Sequence, residues 1–347
     1  MKIVTVVGAR PQFIKAAPVS RVLKGVAEEI LVHTGQHYDP MMSDIFFSEL
    51  GIAHPKFHLG VGSGSHGLQT GRMLSAIEEV LISERPDWVM VYGDTNSTLA
   101  AAIAAAKLQI PVAHVEAGLR SGRMDMPEEV NRIVTDRVSS LLLCPTTNAA
   151  LHLANEGITN RVHVIGDVMT DAVYETLAFP PTSSTFEKPV GKYFAATLHR
   201  AENTTPDRLP RALAILGSVP GTVAFPLHPR TKQAMADQGL RLPGNVLEIE
   251  PLGYADMLSL ISNAEAVLTD SGGLQKEAVI LGTRVVTLRD ETEWVETVNM
   301  GANDVVGLDI DLALSALSQG ALDMDKVVEI FPRGASALVA QLLVDPV

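Results

Sequence analysis

The segment Ser271-Gly272-Gly273 has the residue types of a phosphate-binding turn. It follows an apolar run of strand length, residues 264–268, and it precedes a helix-like segment. Two glycines let a ligand approach the backbone closely, and the N-terminus of the next helix offers free N–H groups to an anion. Glu277, about one helical turn later, could hold a pair of sugar hydroxyls. We interpret the segment as a grip for a nucleotide diphosphate; the alternative is an ordinary strand-to-helix turn.

Two basic residues, Arg10 and Lys15, stand at or just inside the start of the first predicted helix. The helix follows a predicted buried strand at residues 2–7, through the turn Gly8-Ala9-Arg10-Pro11. Positive charge at a helix N-terminus opposes the helix dipole, so local stability does not account for the pair. A bound diphosphate would account for it; the alternative is two solvated basic side chains.

Carboxylates follow two successive predicted strands. Asp94 comes after the strand at residues 87–91, and Glu116 comes after the strand at residues 111–115. Because ligands of parallel sheets bind beyond the carboxyl ends of the strands, both carboxylates are predicted at one ligand-binding rim. Asp94 could instead cap the following helix, whereas Glu116 has no capping role. His199 closes a further predicted strand, and both a structural and a functional role are open for it.

Strands alternate with helices along both halves of the chain. This spacing predicts an α/β fold with two Rossmann-like, doubly wound parallel sheets. The stretch 174–186 is the predicted linker, because it contains Pro180, Pro181, Ser183 and Ser184. Two such domains would form a cleft, a common place for a ligand. A terminal helix is predicted at residues 335–343.

The composition argues against several classes of partner. The 347 residues are 46% hydrophobic and 19% charged, with a formal net charge of −13. This indicates a globular chain without a broad surface for nucleic acid or anionic membranes. No apolar run reaches the roughly 18–20 residues of a membrane span, and residues 1–8 are predicted to form a strand, not a signal peptide. The single cysteine, Cys144, favours a reducing compartment, so we expect a cytoplasmic protein.

Two further patterns are weak. His33 and His37 are four residues apart, but Gly35 and the strand context argue against the helix that a metal pair would need. No metal site is therefore expected. Residues 62–67 match G-x-G-x-x-G, yet they do not follow the first strand of a βαβ unit, so a loop near the site is expected there instead.

Six motifs occur in a fixed order along nearly the whole chain: Gly8-Ala9-Arg10-Pro11-Gln12-Phe13-Ile14-Lys15, Tyr92-Gly93-Asp94-Thr95, His114-Val115-Glu116-Ala117-Gly118-Leu119-Arg120, Pro127-Glu128-Glu129-Val130-Asn131-Arg132, His199-Arg200 and Asp270-Ser271-Gly272-Gly273. With these motifs the chain closely resembles the non-hydrolysing UDP-N-acetylglucosamine 2-epimerases. The resemblance implies a glycosyltransferase-B-like fold, a site in the interdomain cleft and a homodimer. It implies a first domain, residues 1–178, with the catalytic carboxylates, a UDP-binding domain, residues 179–331, and a C-terminal helix, residues 332–347, that crosses back to the first domain.

The resemblance also implies a reaction, the reversible conversion of UDP-N-acetylglucosamine into UDP-N-acetylmannosamine, with a role in polysaccharide biosynthesis and no cofactor. No carbonyl activates the C2 proton, so UDP would be eliminated across C1–C2 to give 2-acetamidoglucal and then re-added. These steps need a base, an acid and a stabilised leaving group. The family's catalytic positions fall on Asp94, Glu116, Glu128 and His199, with base and acid unassigned. From the residues alone, Glu128 compensates for a helix dipole.

The implied substrate contacts divide among the parts of a UDP-sugar. Arg10, Lys15 and His199 would stabilise the departing diphosphate, and Ser271, Gly272 and Gly273 would donate hydrogen bonds to it. Glu277 would hold the ribose hydroxyls. The uracil would meet backbone near Leu252.

Trp294 departs from the commonest family pattern, which has an arginine that contacts substrate at this position. The sequence Glu293-Trp294-Val295-Glu296 resembles the branch that acts on UDP-2,3-diacetamido-2,3-dideoxyglucuronate, so the identity of the sugar stays open. A glycosyltransferase of the same fold, a non-catalytic nucleotide-sugar sensor and a hydrolysing epimerase are further alternatives. Gln36, His37 and His228 match polar positions near a second, regulatory substrate site of some members.

Overall fold

The computed structural model of the chain describes residues 1–36, 51–179 and 186–345. The chain divides into two units: unit 1 comprises Met1–Glu175 and Pro332–Val347, and unit 2 comprises Thr176–Phe331. The division falls inside a helix, Val168–Ala178. His37 and the prolines and serines of the predicted linker lie outside the described residues.

Unit 1 is built on a seven-stranded parallel sheet in the order β3-β2-β1-β4-β5-β6-β7. Its strands are β1 (Lys2–Val7), β2 (Glu28–His33), β3 (Phe57–His58), β4 (Trp88–Tyr92), β5 (Val112–Val115), β6 (Leu141–Cys144) and β7 (Val162–Val164). Its first helices are α1 (Arg10–Leu23), α2 (His66–Glu84), α3 (Asn96–Lys107), α4 (Pro127–Val138), α5 (Thr147–Asn155) and α6 (Val168–Ala178). The central strands are nearly continuous apolar runs because helices cover both faces of such a sheet.

The strand order of unit 1 reverses between β1 and β4, which are hydrogen-bonded neighbours. At such a switch point the loops leave in opposite directions and open a crevice beyond the carboxyl ends of the strands. The turn after β1 leads to Arg10, and the turn after β4 carries Asp94. β5 is the next strand along and leads to Glu116. The sheet topology therefore brings these three residues to one rim.

Helix α3 packs closely on this sheet because its buried face consists of alanines. Ala100, Ala101, Ala104 and Ala105 are fully buried in a core shared with β1, β4 and α2. Small side chains let a helix backbone approach its neighbours, and alanine is also the best helix former. The close packing fixes the N-terminal turn of α3 directly behind Asp94.

Unit 2 repeats the same topology with a six-stranded parallel sheet in the order β10-β9-β8-β11-β12-β13. Its strands are β8 (Tyr193–Thr197), β9 (Thr222–Pro226), β10 (Val246–Ile249), β11 (Ala266–Thr269), β12 (Arg284–Thr287) and β13 (Asn303–Val305). Its helices are α7 (Leu209–Ser218), α8 (Pro229–Asp237), α9 (Tyr254–Ile261), α10 (Gly272–Ile280), α11 (Val295–Asn299), α12 (Ile310–Leu317) and α13 (Met324–Ile330), with a 3-10 turn at Ala201–Thr204. The switch point lies between β8 and β11, which lead to His199 and Asp270.

The last helix, α14 (Ala335–Val344), belongs to unit 1. Asp171 on α6 accepts hydrogen bonds from the backbone N–H groups of Gly334 and Ser336 at 2.7 and 2.8 Å. The guanidinium of Arg333 lies 3.4 Å from the ring centre of Tyr174. These contacts cap the N-terminus of α14 with a carboxylate, which suits the positive end of the helix dipole.

One stretch of the described residues, Met324–Val344, has the length and mean hydropathy, 1.5, of a membrane-crossing segment, although the sequence analysis expected none. It is not one continuous helix, because α13 ends at Ile330 and α14 begins at Ala335. Pro332 lies between them, where its ring cannot continue a helix. The apolar side of α14 is buried within unit 1.

The predicted fold class is confirmed by the two parallel α/β sheets. The strand predicted at residues 2–7 has the predicted bounds. The short edge strands β3 and β13 and the long helix α2 were not predicted. Edge strands of two or three residues carry too little pattern to be recognised.

Candidate active site

Asp94 lies just after β4 and is held by helix α4. The cap of α3 is Thr95, whose hydroxyl accepts the N–H of Thr98 at 3.3 Å, so the capping alternative for Asp94 is wrong. One carboxylate oxygen of Asp94 instead accepts Nε and Nη2 of Arg132 at 3.0 and 2.6 Å. Asn131 donates from its side chain to the backbone carbonyl of Asp94 at 2.8 Å. Two neighbouring residues of α4 therefore fix both the side chain and the backbone of Asp94.

The pKa of Asp94 is raised from its ordinary value. Burial is the largest cause, because withdrawal from water disfavours the charged form. The Glu116 carboxylate raises the pKa further, whereas Arg132 and Lys15 lower it. Asp94 thus belongs to a cluster of four interacting charged groups: its own carboxylate, that of Glu116, and the cations of Arg132 and Lys15.

Glu116 is buried, with 8% of its surface exposed, and it adopts a left-handed backbone conformation with φ of 71°. Such a conformation is uncommon for residues other than glycine, and it is found at functional sites where the surrounding structure enforces it. Its carboxylate forms an ion pair with Lys15. A Cβ on Gly93 would stand 3.1 Å from Oε2 of Glu116, so the glycine after β4 leaves room for this carboxylate beside Asp94.

Helix α1 supplies both basic residues of the first motif. Its N-cap residue, Ala9, offers no side-chain acceptor. Gln12 reaches back instead, and its Oε1 accepts the N–H groups of Gly8 and Ala9 at 2.8 and 3.1 Å. Lys15 lies about one turn into the helix, against Glu116, and Arg10 is half-buried at the first helical position. The structure therefore brings Arg10, Lys15, Asp94 and Glu116 to one rim.

Glu128 is not brought into this cluster. It is exposed in the first turn of α4 and makes no hydrogen bond or ion pair with the rest of the described chain. The neighbouring Glu129 is buried and accepts the N–H groups of Ser121 and Gly122 at 2.9 to 3.1 Å and Nη1 of Arg132 at 2.7 Å. Burial raises the pKa of Glu129, but these donors outweigh it and the pKa is lowered. Glu129 thus holds the loop before α4 and the guanidinium that binds Asp94.

Gln36 lies against the first turn of α3. Its Oε1 accepts the N–H and the hydroxyl of Ser97 at 3.1 and 2.7 Å, and Ser97 also pairs with the hydroxyl of Thr34 at 2.8 Å. Gln36 is therefore a packing partner of the helix behind Asp94. Its role in a second substrate site stays a prediction.

In unit 2 the predicted phosphate grip is the N-terminus of α10. Ser271 is the N-cap, and its hydroxyl accepts the N–H of Leu274 at 3.4 Å. Gly272 is buried and Gly273 is exposed, with no atom within 4 Å of where a Cβ on Gly273 would lie. Glu277 is buried in the second turn. This end of α10 leaves a backbone surface at Gly273 that an anion can reach.

His199 is held by a buried carboxylate that the sequence analysis did not single out. Both oxygens of Asp270 accept the N–H of His199, at 3.1 and 3.0 Å, and one accepts the N–H of Arg200 at 2.9 Å. Nδ1 of His199 lies 3.1 Å from Asp270. Burial raises the pKa of Asp270, but His199 and the backbone donors outweigh it and the pKa is lowered. Asp270 therefore fixes the ring orientation of His199.

Other basic groups lie around His199. His228 caps α8, with its ring centre 5.5 Å from that of His199, and Nη1 of Arg230 donates to the carbonyl of His199 at 2.9 Å. Burial, His199 and Arg230 together lower the pKa of His228. The end of β8 therefore gathers several cationic or proton-carrying side chains, which suits an anionic ligand.

Trp294 packs against α10 rather than outward. It is buried, and Nζ of Lys276 lies 3.9 Å from its ring centre, with Lys276 only 1% exposed. Such a cation–π contact is strongest where water is excluded. Beside it, Arg289 binds Glu293 at 2.9 Å, and the Glu293 carboxylate fills the space where a Cβ on Gly272 would lie. Lys276 is a further site candidate that sequence reasoning missed.

Leu252 is half-buried in the turn before α9. Three of the residues that sequence reasoning missed lie inside the motifs that it quoted: Arg132, Asn131 and Asp270. Their signal was available, since each is a polar residue next to a predicted site residue or one or two helical turns from one. No group of three or more His, Cys, Asp or Glu side chains that could hold a metal occurs in residues 1–36, 51–179 and 186–345.

The chain is similar to proteins of one family. The family model described as UDP-N-acetylglucosamine 2-epimerase matches residues 23–339. A UDP-2,3-diacetamido-2,3-dideoxy-D-glucuronate 2-epimerase of Pseudomonas aeruginosa is 49% identical over 330 residues, 91% of each chain. The crystal structure of the Methanocaldococcus jannaschii UDP-GlcNAc 2-epimerase in complex with UDP-GlcNAc and UDP superposes with a TM-score of 0.87 at 40% identity, covering 99% of each chain. A calicheamicin glycosyltransferase shares the fold alone, with a TM-score of 0.60 at 14% identity over 99% of this chain and 98% of that one.

Proposed function

Because the chain belongs to the UDP-N-acetylglucosamine 2-epimerase family, we propose that it interconverts a UDP-2-acetamido sugar and its C2 epimer without hydrolysis. The first candidate pair is UDP-N-acetylglucosamine and UDP-N-acetylmannosamine. The observation that carries this proposal is the pair of carboxylates at neighbouring strand ends, Asp94 and Glu116. Each has its own cation, Arg132 or Lys15.

The proposed reaction needs both carboxylates because epimerisation moves a proton from one face of C2 to the other. One carboxylate takes the C2 proton, the C–H electrons form the C1–C2 double bond, and the C1–O electrons leave with UDP. The second carboxylate then returns a proton to the opposite face of C2 as UDP adds back to C1. In the reverse direction the two exchange roles, so the resting enzyme needs one protonated and one ionised carboxylate.

The surroundings of Asp94 favour its protonated form. Burial and the charge of Glu116 raise the pKa of Asp94, and Glu116 forms an ion pair with Lys15. A carboxyl group whose pKa is raised by burial is suited to the role of an acid. We therefore propose that Asp94 holds the resting proton. Glu128 is retained as a third catalytic candidate that substrate would have to engage.

Unit 2 is proposed to bind the UDP part. The hydroxyl of Ser271 and the N–H groups of Gly272 and Gly273 would donate to the diphosphate, and His199 would stabilise the charge that develops on it as the C1–O bond breaks. Asp270 supports this role because it holds the His199 ring in place. Arg10 and Lys15 would add positive charge to the diphosphate, Glu277 would bind the ribose hydroxyls and Leu252 would mark the uracil position. No cofactor is required by these steps.

A second sugar, UDP-2,3-diacetamido-2,3-dideoxyglucuronate, is favoured by the surroundings of Trp294. Here a buried lysine and a tryptophan stand beside the grip where many family members have an arginine. The similarity to the Pseudomonas aeruginosa protein supports the same candidate. Glycosyl transfer is disfavoured, because an inverting transferase needs only one base and would leave the second carboxylate without a role.

The deciding experiment is proton NMR in D2O with each of the two UDP-sugars, in the presence of EDTA and without added cofactor. We expect deuterium at C2 and a mixture of the two epimers with one sugar, and no free sugar. Asp94→Asn protein, purified identically, controls for a contaminating epimerase. Free N-acetylmannosamine would indicate a hydrolysing enzyme. The absence of C2 exchange with both sugars, despite UDP binding, would reject the proposed reaction.

A homodimer and a role in polysaccharide biosynthesis belong to the same proposal and rest on the family resemblance. The proposed cytoplasmic location rests on the single cysteine and the N-terminal strand. The assembly can be measured directly by light scattering after size-exclusion chromatography. We expect twice the monomer mass, with no change on adding UDP.

A further inference from the structure

His114 is the one fully buried histidine on β5, the strand that leads to Glu116. It is 0% exposed, so no substrate can touch it, and the proposed reaction does not use it. Its two ring nitrogens nevertheless both make short contacts. Nδ1 lies 2.7 Å from Oδ1 of Asp136, and Nε2 lies 2.8 Å from the carbonyl oxygen of Gly93.

Both ring nitrogens of His114 face an acceptor. A backbone carbonyl can only accept, so Nε2 carries a proton. Asp136 is also an acceptor, because its second oxygen accepts Nη1 of Arg120 at 2.7 Å and the N–H of Gly118 at 3.2 Å. Burial raises the pKa of Asp136, but His114 and Arg120 outweigh it and the pKa is lowered. Nδ1 therefore faces an acceptor as well, and the ring bridges the Gly93 carbonyl and the Asp136 carboxylate.

The buried charges of this network compensate one another. Asp136 stands between the His114 ring and the Arg120 guanidinium, and Arg120 binds Glu156 through two hydrogen bonds at 2.6 and 2.9 Å. The Arg120 cation thus faces two carboxylates. A buried charge that lost its partner would cost several kcal/mol, so each member holds the others at fixed positions.

The network joins the three segments that carry the catalytic cluster. Gly93 directly precedes Asp94, and His114 lies two residues before Glu116. Asp136 lies on α4, one turn after Arg132, which binds the Asp94 carboxylate. Gly93 also donates its N–H to the carbonyl of Val115 at 3.0 Å. The His114 ring therefore connects the ends of β4 and β5 to helix α4.

We propose that His114 is a positioning residue of the epimerase: as a buried side chain that binds Gly93 and Asp136 together, it sets the separation and orientation of Asp94 and Glu116. This proposal rests on the proposed function. If His114 served folding alone, a small substitution there would lower the stability of the protein and would affect kcat only through that loss. If His114 positions the two carboxylates, the same substitution would lower kcat more than it lowers stability.

The first test is His114→Asn, whose amide can reach Gly93 or Asp136 but not both. We expect kcat to fall roughly 10²-fold, the size of effect that a misplacement of about 1 Å produces, while KM and the Kd for UDP stay unchanged. His163→Asn is the matched control, since it makes the same change in a half-buried histidine of β7, and we expect wild-type kcat. A wild-type kcat for His114→Asn, or a parallel loss of kcat, UDP affinity and melting temperature, overturns the positioning role.

The second test needs no variant and does not depend on activity. In wild-type protein labelled with 15N-histidine, one ring assigned by its contact with Gly93 should carry a proton on Nε2 in slow exchange with solvent, because that nitrogen donates to a buried carbonyl. Rapid exchange of that proton, or its absence from Nε2, overturns the contact with Gly93 on which the positioning role depends. If wild-type protein fails to exchange the C2 proton of either UDP-sugar, the proposed function is rejected, and the NMR result still reports on His114.

Discussion

Asp270 holds His199 through both its backbone and its ring: the N–H of His199 lies 3.0 and 3.1 Å from the two carboxylate oxygens, and Nδ1 lies 3.1 Å from one of them. The two residues follow β8 and β11, and the strand order of the second sheet reverses between these two strands. The pairing therefore follows from the topology, although the residues are far apart in sequence. It leaves Nε2 of the imidazole as the ring nitrogen available to a ligand.

Asp270→Asn should lower kcat by at least about 10²-fold, because an amide does not replace the carboxylate that binds and orients the ring of a catalytic histidine. Its pKa is lowered in the folded protein, so its charge stabilises the fold above the unfolded-state pKa of about 4 and this contribution is lost as pH falls through the folded pKa. The stability difference between wild type and variant should hence be largest near neutral pH and shrink in acid. Urea denaturation at several pH values measures it.

The exposed Asp237, at the end of α8, provides the matched control as Asp237→Asn. We expect its kcat and its stability at each pH to follow the wild type. A kcat of Asp270→Asn close to that of the control would remove Asp270 from the support of His199.

Arg132→Gln should move the pH dependence of kcat. Arg132 lowers the pKa of Asp94, so its removal lets that pKa rise further. The limb of the pH–kcat profile that reports Asp94 should shift to higher pH. Arg137→Gln is the control, since Arg137 is exposed in the last turn of the same helix. If both profiles match the wild type, Asp94 does not set either limb.

Gly273→Ala should separate ligand binding from folding. An added Cβ meets no atom within 4 Å in the ligand-free protein, and alanine is the better helix former, so the variant should be at least as stable as wild type. A diphosphate on the N-terminus of α10 would meet that Cβ, so the Kd for UDP should rise about 10-fold, as for the loss of one hydrogen bond of about 1.4 kcal/mol. Calorimetry provides the Kd. An unchanged Kd would show that the diphosphate does not approach Gly273.

The neighbouring acids of α4 should separate into a catalytic and a structural role. Glu129→Gln removes a buried carboxylate that accepts two backbone N–H groups and Arg132, which should cost about 1–3 kcal/mol of unfolding free energy. Glu128→Gln should leave stability unchanged, because its side chain is exposed, but should lower kcat if substrate engages it. Thermal denaturation and the C2-exchange assay measure both. Wild-type kcat in Glu128→Gln would leave Asp94 and Glu116 as the only carboxylates of the reaction.

Much of the fold could be predicted because its signals are local. Buried parallel strands such as β1 and β6 are short apolar runs that the sequence displays directly, and alternation with helices indicates the doubly wound sheet. Polar residues directly after those runs, among them Asp94, Glu116 and His199, were therefore predicted at the sheet rims. Predicting their approximate location required only the rule that parallel strands all run in the same direction.

The partners of these residues could not be predicted in the same way. Glu128 and Glu129 are adjacent and chemically alike, and only the packing of α4 decides that Glu129 is buried against Arg132 while Glu128 is exposed. The capping role of Asp94 was a reasonable local alternative, but Thr95 caps the helix. Local sequence describes which contacts are possible, and the choice depends on segments that approach from elsewhere in the chain.

The sequence by itself determined the class of fold, the family and the residue types at the two rims, because strand pattern, turn glycines and motif order are properties of short segments. Only the tertiary structure decided the ionic partners: Arg132 for Asp94, Lys15 for Glu116, Asp270 for His199 and Asp136 for His114. Charge interactions and desolvation depend on distances of a few ångströms between groups that lie on different strands and helices. Those distances exist only once the sheets are assembled.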